Sequence, residues 1–93
     1  MSHTVEDSAP SYIQPASSGK CADPAFRWLG WKNIHGSRTI RVVSTVKEDN
    51  GYTSDTTDVL RPGESKDITC SGGTDTFGRG VYRQLFLKSA TFI

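Results

Sequence analysis

The chain has 93 residues, with 11 Lys and Arg against 10 Asp and Glu and a formal net charge of +1, so it holds one domain at most. That balance offers no electrostatic attraction to nucleic acid or to an anionic membrane surface. No apolar run approaches the ~20 residues needed to span a bilayer.

Residues 1–20 hold five serines, two prolines and few large apolar side chains. They show no period of 2 or 3.6, and such composition cannot repay its ordering entropy alone. They read as a disordered N-terminal arm, with 21–93 as a single small β domain. Tyr12 and Ile13, between Pro10 and Pro15, are the arm's only sticky spot and could dock on the body or on a partner. The arm lacks the apolar h-region of a secretory signal, so no signal peptide is expected in it.

The body reads as strands and turns. Ala25 to Asn33 is an aromatic-rich strand, followed by a hairpin loop, Asn33 to Ser37, that holds His35. Arg38 to Lys47 is the clearest strand: Ile40, Val42, Ser44 and Val46 alternate with Arg41, Val43, Thr45 and Lys47. Asn50-Gly51 predicts a tight hairpin turn of type I′. Tyr52 to Leu60 is a Thr-rich strand, and Arg61-Pro62-Gly63-Glu64 a type II turn. Ser65 to Cys70 is a short strand with Ile68 and Cys70 on one face. Ser71 to Gly80, with four of the nine glycines, reads as a mobile loop, and Val81 to Leu87 and Ala90 to Ile93 as the last strands. The expected fold is all-β: a small antiparallel sandwich or barrel of five to seven short strands. Leu60-Arg61-Pro62-Gly63-Glu64 resembles the Leu-x-Pro-Gly-Glu turn of extracellular immunoglobulin-like sandwich modules. The resemblance covers five residues, lacks the tryptophan–cysteine arrangement of true immunoglobulin domains, and implies a sandwich rather than a function.

A domain this small has a thin core. Cys21 and Cys70 stand apart from any Cys-x-x-Cys pair, which argues against structural zinc. A disulfide between them would close a loop of about 50 residues and contribute about 4 kcal/mol; the alternative is two reduced thiols buried as small hydrophobes. A disulfide implies an oxidising, extracytoplasmic or secreted setting.

Catalytic groupings are weak. His35 is the body's one histidine and reads as a solvated turn residue. Glu48, Asp49, Asp55, Asp58, Glu64, Asp67 and Asp75 fall mostly in turns, where they bond backbone groups. The acidic loop at Glu48 to Gly51 lacks the ligand spacing of a calcium loop. The glycines near Gly72 and Gly78 lack the motif of a phosphate loop. The basic residues are dispersed, so nucleic acid is not an expected partner. We therefore expect no enzymatic activity, no cofactor and no metal.

Phe26 to Lys32 is the most informative stretch. In a regular strand Trp28 and Trp31 face opposite ways. Either one points outward, or a bulge at Gly30 or cover on both faces buries both. An outward tryptophan flanked by Arg27 or Lys32 could anchor a partner. The expected ligand-binding residues are Trp28, Trp31, Arg27 and Lys32, in a non-catalytic module that recognises a protein or glycan. The alternative is a structural assembly protein, a homo-oligomer whose N-terminal arm orders on a neighbouring subunit.

Overall fold

The computed structural model describes residues 8–22, 26–75 and 77–93. A 3-10 turn at Ala9–Tyr12 leads into eight strands: β1 Ile13–Ala16, β2 Lys20–Ala22, β3 Phe26–Asn33, β4 Ile40–Glu48, β5 Thr53–Leu60, β6 Ser65–Cys70, β7 Gly72–Thr74 and β8 Gly80–Phe92. The fold is all-β, as the alternating sequence requires. Every strand pairing is antiparallel.

One sheet is built around β3, which pairs with β1, β2 and β6; the other has the order β5-β4-β8-β7. They pack face to face. Ile13 and Trp31 of the first sheet meet Ile40, Val42 and Leu60 of the second, with Ile68, Leu85, Leu87 and Phe92 around them. The shortest dimension, 16 Å, fits two sheets about 10 Å apart with their side chains and no third layer.

β4 alternates as its sequence predicts: Ile40, Val42, Ser44 and Val46 are buried, while Arg41 and Lys47 are exposed. The turn after β5 is also as predicted, with Gly63 at φ +77° and Glu64 N–H donating to Arg61 C=O at 2.9 Å. The Asn50-Gly51 hairpin differs in type. Gly51 has φ +93°, but no described non-glycine residue has positive φ, so Asn50 cannot occupy a type I′ position. Gly51 N–H donates to Glu48 C=O at 3.0 Å, and Glu48 N–H to Tyr52 C=O at 2.8 Å. This is a three-residue loop in which the glycine takes the one left-handed position.

The two C-terminal strands expected from sequence are one. β8 runs from Gly80 to Phe92 and crosses its irregular point with a bulge at Lys88, skipped between Val43↔Ser89 and Ser44↔Leu87. The glycine-rich segment before it is also more ordered than expected. Gly72–Thr74 forms β7, and Gly72 is buried where a Cβ would overlap the Phe26 ring.

Cys21 and Cys70 are disulfide-bonded, with Cα atoms 5.9 Å apart and a sequence separation of 49. The bond joins β2 to the end of β6. Among the described residues, no helix is long and apolar enough to cross a membrane.

The boundary of the N-terminal arm needs correction. Residues 1–7 lie outside the described residues, but residues 8–20 belong to the folded body. β1 pairs with β3 from Ile13↔Asn33 to Ala16↔Gly30, and Ala9 and Ile13 are buried. Tyr12 packs its ring 4.5 Å from His35 and 6.0 Å from Phe92, and its carbonyl accepts the Ile34 N–H at 2.9 Å. Composition undervalues this segment because its few apolar side chains are helped by ladder hydrogen bonds that no local pattern shows.

Candidate functional site

β3 lies between partners on both edges, so its side chains are held on a rigid element. Its alternation divides the two tryptophans. Trp31 points between the sheets, is 7% exposed, and donates its indole Nε1–H to Ser44 Oγ at 2.8 Å. It is therefore a core residue that ties the two sheets together. Asn33, two residues on, is 0% exposed. Its Nδ2 donates to the Leu60 carbonyl at 3.0 Å and the Arg38 carbonyl at 2.8 Å, while its Oδ1 accepts the His35 N–H at 2.8 Å.

Trp28 is half-buried and lines a surface cleft of about 300 Å³. Pro15, Ala16 and Ser17, Trp28 to Trp31 of β3, and Leu85 of β8 line the cleft together. Gly30 permits this arrangement. A Cβ there would overlap the Lys66 carbonyl, so only glycine lets β6 approach so closely. The register shift at this point, Leu29↔Thr69 followed by Gly30↔Asp67, skips Ile68. The irregularity expected near Gly30 is present, but the extra residue belongs to β6. Ser18 Oγ donates to Asp67 Oδ2 at 2.6 Å and fastens the chain after β1 to β6.

The four expected contact residues do not form one group. Arg27 is exposed, shares the inward-facing parity of Leu29 and Trp31, and bonds through its backbone to Ser71. Lys32 lies on the other parity and lines a separate hollow of about 340 Å³ with Ile34, His35, Gly36, Pro62 and Gly63. The structure thus brings together Trp28, Trp31 and, from outside the aromatic stretch, Pro15 and Leu85. Sequence reading missed Pro15 and Leu85. They are 70 positions apart, and only sheet packing makes them neighbours.

Of the acidic residues, Glu48, Asp55, Asp58, Glu64, Asp67 and Asp75 hold side-chain hydrogen bonds within the fold. Arg83 Nε donates to Glu48 Oε2 at 2.9 Å in a mostly buried ion pair, and Arg83 Nη2 donates to the Thr74 carbonyl at 3.2 Å. Asp75 Oδ1 accepts the backbone N–H groups of Phe77 and Arg79, and Glu64 Oε1 that of Arg61. Asp55 accepts from Lys88 Nζ at 2.6 Å and from Thr45 Oγ1 at 2.8 Å. These bonds, that from Lys88 first, hold its carboxyl below the ordinary range. Among the described residues, no three His, Cys, Asp or Glu side chains gather as a metal site.

His35 is not the solvated turn residue its sequence context suggests. It is half-buried, its ring 4.5 Å from Tyr12 and 5.5 Å from Phe92. Its Nδ1 accepts the backbone N–H groups of Ser37 and Arg38 at 3.1 and 3.0 Å.

Comparison with protein families, curated proteins and solved structures returned no match for this chain.

Proposed function

We propose that this protein is a non-catalytic, extracytoplasmic binding module that recognises a protein partner through the cleft at Trp28. One observation carries the reading. A half-buried tryptophan on a rigid central strand lines a concave, mostly apolar hollow. Large aromatics make effective anchors because they bring much contact area with few rotatable bonds. The lining favours a protein side chain over a sugar. A sugar ring needs hydrogen-bonding side chains around its stacking partner, and this lining offers only Ser17 and the Trp28 indole N–H, since that of Trp31 is bonded to Ser44. The Cys21–Cys70 bond supports an oxidising setting. Assembly through the arm has less support, because Ala9 and Ile13 are already buried in their own body.

The test is a selection from a displayed random-peptide library with a glycan array run in parallel, on the wild type and on Trp28→Ala. Peptides enriched on the wild type and not on the variant are expected. Trp28-dependent signals confined to the glycan array would replace the protein partner with a sugar. Binding that survives the substitution would move the site elsewhere.

A further inference from the structure

The cleft is bordered by a stretch of β8 that pairs with β4 on one edge and, among the described residues, with no strand on the other. Asp49 N–H donates to the Tyr82 carbonyl at 3.0 Å, so Tyr82 turns its backbone groups toward β4. Arg83 turns the other way, and its N–H donates to the Ser71 carbonyl at 2.8 Å. Strand alternation gives Leu85 and Leu87, opposite Val46 and Ser44, the same outward direction as Arg83. β7 reaches along β8 only as far as Tyr82. Among the described residues, no strand and no hydrogen bond takes up the outward backbone groups of Leu85 and Leu87. Leu85 also lines the Trp28 cleft.

An unpaired edge is a template for another chain, and proteins usually blunt it with charge, proline or cover. β5, at the far edge of the same sheet, carries Asp55 and Asp58. The segment Leu85-Phe86-Leu87 carries no charge and no proline, and the bulge at Lys88 ends its regular run. The free register is therefore short. A charge accompanies it: Arg27 precedes Leu29 by two residues on the same strand face, is exposed, and makes no ion pair among the described residues.

We infer that the partner binds as an extended peptide strand added to the edge of β8 at Leu85–Leu87, with an apolar side chain in the Trp28 cleft and an acidic side chain facing Arg27. This rests on the binding-module reading above and specifies its mode. Main-chain bonds to Leu85 and Leu87 would supply affinity, and the cleft and Arg27 the choice of sequence. The alternation of a strand places the acid two positions from the anchor.

The probe is the set of peptides enriched from the displayed library, made synthetically in plain form and with single backbone N-methyl groups. The intact protein is followed by amide NMR and hydrogen exchange. Enriched peptides should share an apolar residue and an acid two positions apart. The amides of Leu85 and Leu87 should exchange at least about tenfold more slowly in the complex, and N-methylation at alternate positions should weaken binding about tenfold. Arg27→Glu should weaken acidic peptides and leave the fold unchanged. If peptides shift the Trp28 indole signal but tolerate every N-methyl group and leave Leu85 and Leu87 exchange untouched, strand addition is wrong and the binding module stands. If the library yields no peptide that touches Trp28, both readings fall.

Discussion

Asn33 offers the sharpest test of how the two halves of the fold are joined. The substitution Asn33→Ala removes three hydrogen bonds, to Leu60 and Arg38 carbonyls and from the His35 N–H. Leu60 is fully buried and stands opposite Ile40 in the β4–β5 ladder, so its carbonyl loses its side-chain donor in a site closed to solvent, a loss of about 0.5–1.5 kcal/mol. His35 and Arg38 sit on a loop at the surface and can turn partly to water, which brings the total to about 2–4 kcal/mol. For a domain of this size that corresponds to a fall in melting temperature of roughly 10–30 °C. Asn33→Asp adds a second signature. A carboxylate would replace the amide donor and face two carbonyl oxygens in a dry site, which raises its folded-state pKa above the unfolded value of about 3.9. The variant should be least stable at neutral pH. Its deficit should narrow as pH falls through the raised pKa, because the protonated form is the one that folding favours. Chemical denaturation of both variants between pH 4 and 7, at an interval of about one unit, measures this directly. An Asn33→Ala loss within about 0.5 kcal/mol of zero, as for an ordinary surface site, or an Asn33→Asp deficit that ignores pH, would refute the bridging role.

The tryptophans should separate under truncation: Trp31→Ala should cost about 3–5 kcal/mol as a core residue, and Trp28→Ala clearly less, as read by thermal unfolding. Equal losses would remove Trp28 from consideration as a free anchor. Replacing Cys21 and Cys70 together by serine should cost about 4 kcal/mol from the closed loop of 49 positions, measured by denaturant unfolding, and a loss below about 1 kcal/mol would mean that the unfolded chain was already constrained. Asp55 should titrate below the ordinary carboxylate range by carbon NMR, and Lys88→Met should move it upward. Its contribution to stability is present above the unfolded pKa and is lost as pH falls through the folded one, and an unmoved titration in Lys88→Met would show that the ion pair does not hold in solution.

β4 was legible because its alternation is local: Ile40, Val42, Ser44 and Val46 share a face in any sheet that forms. The Arg61 to Glu64 turn was legible because proline and glycine restrict the backbone wherever they stand. The disulfide was legible as one of two alternatives, from a thin core and two isolated cysteines. The Asn50-Gly51 turn was legible as a hairpin but not in its type, since a glycine can serve either loop length. Local pattern also showed that Trp28 and Trp31 point opposite ways, but not which of them would be covered. That depended on Ser44 standing within hydrogen-bond reach of the Trp31 indole, while Trp28 lines a surface cleft. The seating of Tyr12 and Ile13, the burial of Asn33 and the cleft between Pro15 and Leu85 depended in the same way on residues brought together from distant parts of the chain. The sequence by itself determined the alternating strands of the body, the places of the turns between them and the two faces of each such strand, though not β1 or β7, because these follow from the conformational limits of neighbouring residues. Only the tertiary structure decided which faces are buried and where an edge is left unpaired, because burial and pairing are properties of two surfaces that the order of residues along one strand does not contain.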